Sequence, residues 1–163
     1  MVFFFLTIQV SAHDLINDTC KKTHFYDLCV TTLRSDPQSS KADVQGLARI
    51  ALAKLLAKAN DTLNHIDNLF SRRSFRDVHL FDVLYACSIE YNDMVYYDLP
   101  VAIHGLAKGN ATIAETSADL IATDAHTCGK GLKRYPKLSQ LVSENKLVRE
   151  LSLVVKTIIK ILL

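Results

Sequence analysis

Residues 41–70 read KADVQGLARIALAKLLAKANDTLNHIDNLF, thirty residues with no proline and a single glycine. Apolar side chains recur at Val44, Leu47, Ala48, Ala51, Leu55, Ala59, Leu63, Ile66 and Leu69/Phe70, in steps of three and four. That is the period of one helix face, sustained for about seven turns. Asn60, Asp61, Asn64, Asp67 and Asn68 fall on the opposite, solvent face. The tetrapeptide Ser40-Lys41-Ala42-Asp43 resembles a capping box and is expected to open the helix.

The same period returns three times downstream. Ser71-Arg72-Arg73-Ser74 interrupts it, and a second helix is expected on Phe81, Leu84/Tyr85, Ser88, Tyr91, Val95, Leu99, Ala102 and Leu106, closing at Gly109. Pro100 lies inside it, where a missing N–H and a ring clash predict a kink near Tyr97–Leu99 or a break. Asn110 is placed to cap a third helix through Ile113, Ser117, Leu120/Ile121 and Asp124, ending near Cys128-Gly129. GKGLKRYPK, residues 129–137, reads as a basic loop. A fourth helix is expected from about Ser143 to the terminus on Leu147/Val148, Leu151, Val154/Val155, Ile158 and Leu162. With no strand-rich segment and no repeat, the fold class is all-α, an up-down-up-down four-helix bundle.

Compartment follows from the first thirty residues. MVFFFLTIQVSAHD is an apolar run ending in small residues at Ala12, too short to span a bilayer and without a preceding Lys or Arg. It is read as a signal peptide over residues 1–12, leaving a mature domain of 13–163. An exported chain with four cysteines is expected to hold two disulfides. Zinc would favour tighter pairs such as C-x-x-C, which the sequence lacks. Spacing does not choose among the three connectivities. The nearest-neighbour scheme, Cys20–Cys29 and Cys87–Cys128, is adopted, and makes CKKTHFYDLC a stapled turn. Three sequons, at Asn17, Asn60 and Asn110, agree with export and are candidate glycosylation sites.

The bulk numbers describe one ordinary domain: 163 residues, 49% hydrophobic, net charge +2. Six histidines would carry the charge towards about +8 near pH 5, drawing the protein to acidic partners. No phosphate loop, nucleophile elbow or H-E-x-x-H is present. His24, His65, His79, His104 and His126 share no ligand spacing, so neither metal nor cofactor is expected, and no nucleic-acid or membrane partner. His104 and His126 are candidates to face one another as a pH switch. Asp43/Asp61 and Asp77/Asp82 read as solvated faces. Lys130, Lys133, Arg134 and Lys137 form a patch that could dock a polyanion, the plainer reading being a solvated loop. An interaction protein is favoured over an enzyme.

At this point the residues resemble a known family. Cys20 and Cys29 with Val30, Leu33, Asp36-Pro37 and Ala42-Asp43-Val44-Gln45-Gly46-Leu47 are similar to the plant invertase/pectin methylesterase inhibitors, nearest their pollen-allergen branch. Cys87, Tyr91 and Asp93 resemble the family's C-x-x-x-Y-x-D-A. Ser117-Ala118 with Thr127-Cys128 resembles its S-A-A-L…T-C, and Ser143-Glu144-Asn145 opens the last helix in the family manner. The resemblance covers residues 14–163. It implies an N-terminal α-hairpin closed by the first disulfide, leaning on the four-helix bundle, and supports the adopted connectivity. It further implies a secreted, non-catalytic inhibitor in the apoplast or cell wall, with the vacuole as alternative, that fills the active-site cleft of a plant enzyme 1:1.

Two departures bear on the target. Lys108-Gly109-Asn110-Ala111-Thr112-Ile113 stands where invertase inhibitors of the family carry Pro-Lys-Phe. Lys130 follows Cys128-Gly129 where pectinesterase inhibitors carry an acid. Pectin methylesterase is slightly favoured, because Asp93 and Thr127 match the face those inhibitors use, and acid invertase is the alternative. Two other classes are carried along: an apolar-ligand carrier with a pocket at Tyr91, Val95 and Leu99, and a pollen or storage protein with no enzyme target.

Overall fold

The computed structural model describes residues 12–72 and 77–163. Apart from Ala12, the segment read as a signal peptide lies outside them. Helices α1 (Ala12–Cys20) and α2 (Tyr26–Arg34) form a hairpin, followed by a 3-10 turn at Pro37–Lys41. The bundle comprises α3 (Val44–Arg72), α4 (Val78–Asp93), α5 (Leu99–Ala107), α6 (Ala111–Leu132) and α7 (Ser139–Lys160). A π turn at Met94–Asp98 joins α4 to α5 and makes them one leg; a second 3-10 turn, Pro136–Leu138, leads into α7. There is no strand among the described residues.

Four legs pack in cyclic order, α3 beside α4–α5, then α6, then α7, which closes on α3. Leu47, Leu52, Leu55, Ile66, Leu84, Leu99, Leu106, Ile121 and Leu132 are fully buried between them. Both disulfides take the adopted pairing. Cys20–Cys29 staples the hairpin with Cα atoms 5.5 Å apart, and Cys87–Cys128 ties α4 to α6 at 4.8 Å. Ile16 and Leu33 bury the inner face of the hairpin, which leans on α3 and α7. Arg34 and the Tyr26 hydroxyl both donate to Asn17 Oδ1, at 3.2 and 3.3 Å, bracing α1 to α2.

The helix ends differ from their sequence signals in instructive ways. Asp43, not Ser40, caps α3, accepting from the Gly46 N–H at 2.8 Å. Ser40 belongs to the preceding 3-10 turn and donates to Pro37 O. α6 passes through Gly129 and Gly131 to Leu132, because those glycines serve packing. A Cβ on Gly129 would stand 2.8 Å from Asn145 Nδ2, and one on Gly131 would stand 3.0 Å from Val83. α7 starts at Ser139, four residues before the expected Ser143, since Leu138 and Leu141 are already in the core. Asn110 caps α6 as expected, accepting from the Ile113 N–H at 3.1 Å.

Pro100 does not break the leg. It lies in the first turn of α5, directly after the π turn, whose wider loop accommodates a residue that cannot donate to the carbonyl of Tyr96. The leg closes on Gly109 at φ 76°, with Gly109 N–H to Leu106 O at 3.1 Å and Asn110 N–H to Gly105 O at 2.8 Å. This is the αL stop for which glycine is the cheapest residue.

Candidate docking face

Two neighbouring legs build the candidate site. The register between them is set by close packing: Gly131 of α6 meets Val83 of α4, and Gly105 of α5 meets Ile113 of α6. Between these contacts the Glu90 carboxyl faces that of Asp124 across the two helices and acts on it. Asp93, one turn beyond Glu90, is exposed and acts on both Asp124 and Asp98. Four carboxyl groups, from Glu90, Asp93, Asp98 and Asp124, therefore share one outward face.

Burial and the neighbouring charges raise two of them. Burial raises the Asp124 carboxyl first, the neighbouring Glu90 carboxyl raises it further, and Asp93 adds to this, bringing it to about 6. Asp98 is raised by burial, then by Asp124 and Asp93. None of the four forms an ion pair among the described residues.

Thr127 is one turn past Asp124 on the same helix, exposed, its hydroxyl donating to Thr123 O at 3.1 Å. Both predicted target-binding residues thus reach the α4–α6 face, Asp93 inside the acidic cluster and Thr127 beside it. Around the acids lie exposed apolar side chains. Tyr96 and Tyr97 on the π turn are 62% and 67% exposed, Val101 one turn further is 49%, and Leu120 on α6 is 50%. The antiparallel register sets Leu120 level with the π turn. An acidic centre flanked by exposed aromatic and aliphatic groups can draw a cationic rim electrostatically and bury apolar area on contact.

Sequence reasoning missed Glu90, Asp98 and Asp124 as members of this site. The inward pattern of α6 was expected on Leu120/Ile121 and Asp124; Ile121 is buried as expected, whereas Leu120 is exposed and Ala125 takes the place of Asp124. The available signal was Glu90-x-x-Asp93 and Asp124-x-x-Thr127, each one turn apart.

The other candidates are placed as follows. His104 and His126 are both exposed and do not face one another. Gly105 packs at Ile113, thirteen residues and about 20 Å along α6 from His126. His65 pairs its Nδ1 with Glu144 Oε2 at 2.6 Å. Asp43 and Asp77 are helix caps, and their proposed partners Asp61 and Asp82 are exposed. Tyr91, Val95 and Leu99 are buried in the core rather than lining a ligand pocket. The Tyr91 hydroxyl donates to Asn145 Oδ1 at 2.9 Å, and burial raises its pKa. No cluster able to hold a metal occurs among the described residues. No described helix is long and apolar enough to cross a membrane. Of the sequon asparagines, Asn60 and Asn110 are exposed and Asn17 is half-buried.

Comparison with known proteins places this architecture. The family model described as plant invertase/pectin methylesterase inhibitor matches residues 14–158. "Cell wall / vacuolar inhibitor of fructosidase 1" of Arabidopsis thaliana is 34% identical over 92% of this chain and 70% of its own length. "Putative invertase inhibitor" of Platanus acerifolia is 28% identical over 99% and 94%. "Pectinesterase inhibitor" of Actinidia deliciosa is 28% identical over 76% and 65%. A crystal structure of a mutant form of an Arabidopsis pectin methylesterase inhibitor superposes with a TM-score of 0.78, covering 92% of this chain and 96% of that one. At 23% identity that likeness is one of fold.

Proposed function

Since the chain belongs to the plant invertase/pectin methylesterase inhibitor family, we propose that it is an exported, non-catalytic inhibitor that docks its α4–α6 face into the active-site cleft of a cell-wall or vacuolar carbohydrate enzyme, one molecule to one. The observation carrying the site is the unpaired acidic cluster with its apolar flanks. A disulfide-stapled bundle loses little conformational entropy on docking, which suits an inhibitor.

Acid invertase, a fructosidase, is the first target to test. The fructosidase inhibitor is the relative that combines 34% identity with coverage of 92% of this chain. Pectin methylesterase is the second, favoured by Asp93 and Thr127 on the face that pectinesterase inhibitors of the family use. The oxidised chain is titrated at pH 5 against a purified plant acid invertase and a plant pectin methylesterase. Invertase activity is expected to fall to zero at about one equivalent, with the esterase unaffected. The reverse pattern assigns the esterase, and two fully active enzymes in excess protein defeat the inhibitor reading. Asp93→Lys reverses a charge at the centre of the face and is expected to weaken inhibition about tenfold or more. Unchanged inhibition by that variant would move the docking site elsewhere.

A further inference from the structure

The cations grouped between residues 130 and 137 have no part in the acidic face. Lys130 lies in the last turns of α6, Lys133 and Arg134 form the turn that follows, and Lys137 sits in the 3-10 turn before α7. All four are exposed. Among the described residues none has an ion-pair partner, whereas Lys156 and Lys160 of α7 are tied to Glu115 and Asp119. The helix dipole favours cations in a last turn, which accounts for Lys130 and Lys133 but not for Arg134 and Lys137 beyond the helix end.

The base beneath them is fixed. Lys133, Arg134 and Tyr135 donate their N–H groups to Gly129, Gly131 and Leu132 at 3.2, 3.3 and 2.9 Å, and Leu138 plugs the turn into the core. His126, one turn before Lys130, extends the stripe and is exposed. Two acids, Asp77 and Asp82, approach from α4 on the Tyr135 side, and Asp77 is engaged in capping α4. The end of the bundle remains positive against them.

We propose that this turn is a docking surface for an acidic polysaccharide, a polyuronate chain with carboxylates at regular intervals. Three of the four cations are lysines, whose ammonium groups on flexible stems can follow a repeating row of single charges. The turn also offers no apolar anchor for a bilayer or a protein hot spot, since Leu138 is buried and Tyr135 half-buried. Lys130 and Lys133 lie on the outer and α7 side of α6, where Gly129 meets Asn145, while Asp124 lies on the α4 side. A bound chain therefore leaves the acidic face free.

The test is retention of the oxidised full chain on immobilised polygalacturonate at pH 6. Binding at low salt is expected, with release as ionic strength approaches 0.15 M, where the Debye length falls to about 8 Å. Lys130→Gln/Lys133→Gln/Arg134→Gln/Lys137→Gln is expected to lower affinity about tenfold or more, and Arg49→Gln/Lys54→Gln/Lys58→Gln, on another helix, to leave it unchanged. Should the fourfold variant fold poorly by circular dichroism, Lys133→Gln/Lys137→Gln, outside the helices' interiors, is expected to show a smaller loss in the same direction. Absent retention, retention that neither variant of the turn reduces, or binding to phosphatidylserine vesicles without binding to polyuronate would overturn the proposal.

Discussion

Asn145 is the residue on which the buried polar chemistry turns. Its Oδ1 accepts from Tyr91 of α4 and its Nδ2 donates to Ala125 O of α6 at 2.9 Å, so one side chain of α7 satisfies two other helices. Tyr91→Phe leaves the Asn145 acceptor buried without that donor, and a loss of about 1–3 kcal/mol in urea unfolding is expected. Asp124 makes a second single-residue prediction. The folded state holds its proton up to about pH 6, the unfolded chain only to about 3.8. Its contribution to stability is thus complete below about pH 4 and is lost as pH rises through about 6. Half-exposed as it is, the effect is screened. Asp124→Asn is expected to raise Tm by about 2 °C at pH 7 and to change nothing at pH 4. An equal gain at both pH values would mean that ionisation of the half-buried Asp124 carboxyl is not the cause.

Helices carry their period in their own sequence, which is why α3 and the four-leg order were legible before any coordinates. The apolar stripe from Val44 to Phe70 admits no other element. Their ends and mutual register are set by neighbours, and there the reading slipped. Gly129 looked like a stop signal because glycine commonly ends helices; its purpose, to admit Asn145 from α7, exists only once two helices touch. Gly129→Ala should therefore destabilise by about 1–3 kcal/mol, the usual cost of overpacking, despite alanine's higher helix propensity. A gain in Tm would show that α6 and α7 can part to make room. The acidic face was half legible for the same reason. Asp93 and Thr127 came from a family pattern, while the Glu90–Asp124 pair depends on the α4–α6 register. The π turn, too, is a response to Pro100 that no apolar period encodes.

At the scale of the whole molecule the two disulfides divide the labour. Cys20–Cys29 closes nine residues within the hairpin, and Cys87–Cys128 closes 41 residues across two legs of the bundle. Loop entropy assigns about 2.6 kcal/mol to the first and about 3.9 kcal/mol to the second. Cys87→Ser/Cys128→Ser is expected to lower the unfolding free energy more than Cys20→Ser/Cys29→Ser does. The reverse order in denaturant titrations would show that the hairpin anchors the bundle.

The longer bond has a consequence for durability. It encloses the π turn, all of α5, the Gly109 corner and most of α6. The exposed Lys108-Gly109 corner is one of the turns open to a protease. A single cut there leaves both fragments on one covalent body, so the nicked protein runs at full mass on a non-reducing gel and separates only with thiol. Cleavage at this corner therefore cannot detach half of the docking face.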